Sequence, residues 1–522
     1  VTDQINARRN REEREERQRV SIDWMRETLQ AGERVDVPEE MSDLVRRVED
    51  WIFRPAQRGE ELEDWLRRAG GNMEADEGAY RLLLLTGRVT DDDDRFLILA
   101  GIREGFASEV IAACDELTPY EVESSRTDFA SLVCFTIDDA DTREVDDALT
   151  VEETDEGTRV GIHIADVAHF VELGGVLDQE AFSRGATMYL PSRSVTMFPE
   201  RLSCDLASLD EGELRPTMSF IVDFDRDGAI TAERIERGQV RVTHRLDYHD
   251  ADERIRSDDD DELARALRRL DEISAALLAR RCAKGALMIR RPELRVRARK
   301  DEPIQLEVLF GDSPSRRVVS ELMILSNSVA AGEARRRSVP IIYRTQDPPR
   351  DDVKVPEDYD PVALEGVFRS LSRSQLSTHA RAHSGLGLDC YTQMTSPIRR
   401  LADLVMQRQF AAHLSGDPPP YDTEELFRVL ATAGDVEKAA RRVEEQANRF
   451  AVLDHLEKER LDDEFEAILV GRHGPVDRAE TTDLFIRGQL SGAGHLSPGD
   501  RLSVRIDKID PLRGRLDFRP VE

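Results

Sequence analysis

CFTIDDADTREVDDALTV, residues 134–151, is the stretch on which the reading of this chain turns. Between Asp138 and Asp147 six of ten residues are acidic (Asp138, Asp139, Asp141, Glu144, Asp146 and Asp147), and short apolar runs flank them on both sides. A solvated turn needs one or two such residues. Six carboxylates beside buried strands repel one another and raise one another's pKa unless a cation neutralises them. Hard oxygen donors favour Mg2+ or Mn2+. An EF-hand is disfavoured, because counting from Asp139 puts Glu144 where the loop needs glycine and Thr150 where it needs glutamate. A metal site and a plain acidic loop both remain open on composition alone.

Working outward, SLVCFTI, TRVGIHIADVAHFV and TMSFIVDF read as strands. Long amphipathic helices are expected at DELARALRRLDEISAALLARRCAKG, SRRVVSELMILSNSVAAGEARRR and GDVEKAARRVEEQANRFAVLDHLEKER. The last 60 residues return to short strands separated by glycine and proline, as in a small β-barrel. On the other side, residues 21–117 read as short helices. One opens on Ser21 as a cap, one stops before Pro55, one ends at Gly70 and Gly71, and one starts with Thr90 and Asp93 in a capping-box pattern. Residues 1–20 alternate arginine and glutamate without an apolar stripe and are expected to be a charged, flexible tail or frayed helix. The expected organisation is α+β and multidomain: a tail (1–20), a helical domain that reads equally as helix-turn-helix or plain helical packing (21–117), a core of strands and long helices (118–460) and a barrel (461–522).

The chain has 522 residues, 39% apolar, with 74 basic and 106 acidic side chains and a net charge of −32. No apolar run approaches the roughly 18–20 residues of a membrane span, and the N-terminus has no apolar core of a signal peptide. Five scattered cysteines exclude a disulfide framework or a CxxC zinc knuckle. A cytoplasmic protein is expected. The charge argues against a polyanionic ligand only as a global sum. All but six of the cations are arginine, and several are bunched, as in IRRPELRVRA at 289–298; this suits a local phosphate path and equally a bias of genomic base usage.

The motif TIDDADTREVDDAL closely resembles the catalytic motif of the ribonuclease II (RNB-domain) family. The resemblance continues through GIHIADVAHFV, through LDQEAFSRGATMYLPSRSVTMFPERLSCDLASL, and through HSGLGLDCYTQMTSPIRRLADLVMQRQF, in the family's order over roughly residues 120–455. The final strands, GDRLSVRIDKIDPLRGRLDF, look like the end of an S1 RNA-binding barrel. The family's N-terminal cold-shock barrels look absent. The resemblance implies a Mg2+-dependent enzyme, with Mn2+ a possible substitute, that digests single-stranded RNA from the 3′ end to nucleoside 5′-monophosphates. It implies neither a DNA substrate nor a membrane partner.

Carried over residue by residue, the family's catalytic and metal-holding acids fall on Asp138, Glu144, Asp146 and Asp147. Glu144 departs from the usual aspartate by one methylene. Arg399, beside Arg400 at an expected helix start, matches the arginine that clamps the scissile phosphate. Tyr189 in MYLP matches a contact to the terminal nucleotide, and Glu321 in VVSELMI resembles a ribose contact; Arg400 is grouped with them as substrate-binding. No base-stacking aromatic is identifiable in ELRVRARKDEP. His163 and His169 are read as hydrogen-bonded structural residues, and Cys204 and Cys390 lack the partners of a nucleophile. A non-catalytic RNA-binding regulator with a decayed site is the rival reading, suggested by Glu144 and the acidic charge.

Overall fold

The computed structural model describes residues 2–54, 58–90, 94–299, 302–311, 313–473, 476–492, 494 and 496–521. The chain divides into two compact units, Val1–Phe106 and Ala107–Glu522.

The first unit is helical. One helix runs Thr2–Ala31, so residues 2–20 follow the helical alternative rather than the flexible tail, and Ser21 lies inside the helix instead of capping one. Arg9–Glu13 and Arg11–Glu15 pairs one turn apart support the polar stretch, and Arg14 reaches Glu61 of the helix Glu60–Gly70. Ile22, Met25, Trp51, Trp65, Leu66 and Leu83 form the core. The capping box expected at Thr90 and Asp93 falls partly outside the described residues. Asp94 caps the helix Arg95–Leu99, accepting from the Phe96 and Leu97 N–H groups.

The second unit is built on a mixed seven-stranded sheet, in the order Thr127–Asp128, Ile230–Arg241, Leu214–Asp225, Gly157–Ala165, Asp147–Glu153, Cys134–Asp138 and His244–Asp247. The two edge pairings are parallel and the inner ones antiparallel. Gly157–Ala165 is buried on both faces, which is why its sequence runs apolar rather than alternating. Ile230–Arg241 has the opposite character; its exposed, charged first half hid it from the sequence reading. Gly161 is required at the sheet's centre. A methyl group there would lie 2.3 Å from Thr150 Oγ1 and 2.6 Å from His163 Nε2.

The expected long helices form at Glu262–Ala283, Pro314–Arg337 and Thr423–Glu459. The last begins a full three turns before the expected start at Gly434. A reciprocal capping box between Asp422 and Glu425 nucleates it there, and Gly434 is tolerated inside. Strands Glu464–His473, Val476–Thr481, Arg487–Leu490, Arg515–Pro520 and Arg501–Asp510 close a barrel around Phe465, Leu469, Val504 and Phe518. The hairpin Glu293–Arg297 with Gln305–Leu309 packs Leu294, Val296 and Leu306 into the cluster that this barrel core shares with Ala451, Val452 and Leu456 of the helix Thr423–Glu459. Among the described residues no helix is long and apolar enough to cross a membrane.

Candidate active site

The acidic loop joins Cys134–Asp138 to Asp147–Glu153, so its first and last acids sit at the ends of neighbouring strands. The structure divides the six acids into two groups. Asp139 and Asp141 are turned onto cations. Asp139 pairs with Arg295 at 2.6 Å and accepts from Arg316 at 3.1 Å, and Asp141 pairs with Arg297 at 3.2 Å. Burial pushes the Asp139 carboxyl up, but the bonds and charges of the two arginines outweigh it and hold it below the ordinary value. Arg295 and Arg297, expected on a phosphate path, are therefore engaged by the loop itself. Arg290 and Arg291 are exposed and carry no ion pair among the described residues.

The other four acids point inward. Burial raises Asp138 to about 6, against the lowering charges of Arg245 and Arg399. Burial raises Asp146 to about 7, opposed by Arg399. Asp147 is pushed well above its ordinary value by burial and then by the charges of Asp138 and Asp146. Glu144, 8% exposed, is raised by burial against hydrogen bonds from Ser203, Tyr189 and Thr187. The charge of Arg399 bears on all four.

Specific partners subdivide the set. Asp146 accepts from the Ile398 N–H at 3.0 Å and from Arg399 Nε at 3.2 Å. Glu144 accepts from the Tyr189 hydroxyl at 3.1 Å and faces Thr187 Oγ1 at 3.5 Å. Asp138 and Asp147 form the open pair, and Asp138 Oδ2 is buried without a hydrogen-bond partner. Such an oxygen is costly to bury, and a divalent cation is the group that would satisfy it. Among the described residues the four acids do not close a three-donor cage. The three-donor group within 4.8 Å is Asp247, His249 and Asp250, an exposed helix start where Asp247 already accepts from the Asp250 N–H. The open arrangement suits Mg2+, which keeps several waters and uses one or two carboxylates together with phosphate oxygens.

The helix Leu401–Ser415 begins at the expected place, with Arg400 as its N-cap residue. Asp403, which the sequence reading missed, accepts from Arg400 at 2.6 Å and from the Ser396 N–H at 2.9 Å. Thr187 N–H donates to the Arg399 carbonyl, so the Tyr189 segment and the arginine segment are one unit. Tyr189 is 44% exposed, although its hydroxyl is turned in on Glu144. Its N–H donates to Glu444 Oε1 at 2.7 Å. Glu321 is elsewhere in character: only 3% exposed, it is held by Arg281 through Nε at 2.9 Å and a second guanidinium contact. The structure does not bring it into hydrogen-bonding contact with the carboxylates.

Tyr248 was also missed. Burial, then the charges of Asp138 and Asp147, raise its hydroxyl, and Arg316 lies 4.0 Å from its ring centroid. No local pattern could have flagged it, because it reaches the acids through the parallel pairing of His244–Asp247 with Cys134–Asp138. His163 is structural as expected, bonded to Ser219 and Thr150 and lowered by burial to about 3.

The raised acids set a pH dependence. In metal-free protein Asp138 and Asp146 hold protons in the native state that the unfolded chain has released above about pH 4. Stability therefore falls as pH rises from about 4 through 7. The expected melting temperature in chelator falls across that window, and Mg2+ recovers it most at the alkaline end, where no proton competes. Thermal scans with and without Mg2+ measure this; a melting temperature that climbs with pH in chelator contradicts it.

An open sheet carrying a buried acidic loop, an arginine at a facing helix start and a terminal five-stranded barrel define an α+β protein of RNB architecture. The RNB domain model matches residues 126–355 and 351–416, and the RNase II-type exonuclease C-terminal S1 domain matches residues 463–521. An uncharacterised ribonuclease of Synechocystis is 32% identical over 97% of this chain and 77% of its own length. The chain belongs to the ribonuclease II (RNB-domain) family. It spans 50–57% of the length of ribonuclease R and ribonuclease II relatives. Mycoplasma genitalium RNase R, solved with ribose-methylated single-stranded RNA and with double-stranded RNA, shares the fold at a TM-score of 0.74 and 19–20% identity; the match covers 83% of this chain and 79–84% of that one. Yeast Ssd1, described as a pseudonuclease, shares it at 0.63 and 18% identity, over 76% of this chain and 55% of that one.

Proposed function

We propose that this chain is a 3′→5′ exoribonuclease that hydrolyses single-stranded RNA stepwise to nucleoside 5′-monophosphates, with Mg2+ or Mn2+ held by Asp138 and Asp147 and flanked by Asp146 and Glu144. The observation that carries this reading is the buried, unpartnered Asp138 Oδ2 beside Asp147, in the field of Arg399. When bound, a cation pair supplies an activated water and neutralises charge on the leaving oxygen.

The chain's own groups supply the rest. Asp146 orients Arg399 through Nε, and Ser396 Oγ accepts from its Nη2 at 3.0 Å. Nη1 has no partner among the described residues and is the edge left for a phosphate oxygen, where developing charge needs a donor. Tyr189, with its hydroxyl and N–H both fixed, offers its ring to the terminal nucleoside. Arg400, tied to Asp403, adds positive charge at the helix start.

End-labelled RNA and DNA oligomers, with Mg2+ and with chelator, test the proposal. Stepwise loss of RNA alone, stopped by chelator, supports it. Tight RNA binding without cleavage would support the second reading, a non-catalytic RNA-binding regulator. That reading is favoured by the engagement of both Glu144 oxygens and by the occurrence of this fold in a protein described as a pseudonuclease.

Glu144 discriminates further. Glu144→Gln removes a charge beside the proposed metal site and is expected to lower the rate about tenfold at limiting Mg2+. Glu144→Asp keeps the charge and restores the family pattern, so activity holds or rises. Mg2+ titrations of the initial rate measure both, and a wild-type response from Glu144→Gln removes this residue from the site.

A further inference from the structure

The hairpin Glu293–Arg297 with Gln305–Leu309 has two faces with different partners. Strand side chains alternate, so Leu294 and Val296 face one way and Arg295 and Arg297 the other. With Leu306 from the second strand, the apolar face packs into the cluster that joins Ala451, Val452 and Leu456 of the helix Thr423–Glu459 to the core of the S1 barrel, and Phe310, next after the second strand, meets Phe485 of the barrel edge-on at 6.3 Å. The arginine face meets the acidic loop: Arg295 on Asp139 at 2.6 Å and Arg297 on Asp141 at 3.2 Å, with Glu307 opposite at 4.0 and 3.7 Å. Arg316, from the helix Pro314–Arg337, takes the second oxygen of Asp139 at 3.1 Å. The Ala298 N–H donates to the Pro191 carbonyl at 2.8 Å, two residues from Tyr189. One small hairpin thus touches the barrel, the acidic loop and the Tyr189 segment.

We propose that this hairpin is a strut through which the S1 barrel holds the acidic loop in its metal-accepting shape, with Arg295, Arg297 and Arg316 as positioning residues. The inference rests on the metal-site reading above and assigns the barrel a role besides binding RNA. Asp139 and Asp141 stay outside the inward-facing set because arginines from distant elements hold them there. With those two acids turned out, Asp138 and Asp147 are left at the strand ends as the open pair.

Charge and position predict opposite signs, which makes the proposal testable. Removing two positive charges beside a carboxylate cluster should, by Coulomb's law alone, tighten cation binding. Losing the loop's position should weaken it. In full-length protein without RNA, Arg295→Ala/Arg297→Ala is expected to weaken Mn2+ binding, read by electron paramagnetic resonance, about tenfold, the lower end for partners that orient metal ligands. Amide exchange across residues 139–145 should accelerate while Gly157–Ala165 keeps its protection. Arg295→Lys/Arg297→Lys should recover part of both effects. Leu306→Ser, which removes no charge and lies on the barrel side, should also loosen residues 139–145.

Unchanged or tighter Mn2+ binding in the alanine pair overturns the positioning role. Unchanged loop exchange in Leu306→Ser overturns the link to the barrel. If wild-type protein binds no Mn2+, the metal-site reading falls. The exchange measurements, which need no metal, still decide the strut.

Discussion

Asp147→Asn is expected to cut RNA hydrolysis by about 10³-fold or more, equivalent to about 4 kcal/mol of transition-state stabilisation, while RNA affinity stays within a few-fold. Asp147 stands at the start of its strand, and its charge acts directly on Asp138. The substitution leaves shape nearly intact and removes one of the two carboxylates proposed to hold the metal. Affinity should survive because single-strand binding comes from many phosphate contacts spread over the protein, and deleting a negative charge does not oppose a polyanion. Single-turnover cleavage of end-labelled RNA gives the first quantity, and fluorescence anisotropy in chelator gives the second. Residual activity above about a tenth of wild type would remove Asp147 from the metal site, since partial loss on that scale is what an orienting partner gives.

Arg399→Ala is expected to lower kcat about 10²–10³-fold, the range for deleting one donor aimed at developing charge, with a small change in KM. It also strips Asp146 of its countercharge, leaving a carboxyl that is 5% exposed with the Ile398 N–H as its remaining hydrogen bond. The Asp146 pKa then rises further, so the acidic limb of the pH–rate profile should move to higher pH. A merely structural loss would lower the rate at every pH alike. Arg399→Lys keeps the charge without the planar fork, so it should restore the profile's position more fully than the rate.

The elements nearest the site were largely legible in sequence. The apolar runs around residues 134–151 form the two expected strands. Proline before an arginine pair in TSPIRR announced the helix Leu401–Ser415, and glycine-punctuated strands announced the barrel. These signals are local: period, cap and turn residues act within a few positions of the chain. Glu321 shows the limit. Its place in a helix was readable, but its burial against Arg281 was not, because the partner lies 40 positions away.

The acidic loop separates the two kinds of information most clearly. Residues 138–147, taken alone, specify six carboxylates between buried strands and so the need for positive charge nearby. They do not say which acids stay free. Tertiary structure decides that. Arginines from Glu293–Arg297 and Pro314–Arg337 close on Asp139 and Asp141, and Ile398 with Arg399 closes on Asp146. The Tyr189 hydroxyl closes on Glu144, and Asp138 and Asp147 remain. Alternation places Arg295 and Arg297 on one face of a hairpin, but only packing of the other face into the cluster between the helix Thr423–Glu459 and the barrel determines where that face points. Burial and long-range charge pairing depend on which distant segments meet, and composition within a ten-residue window carries no record of that.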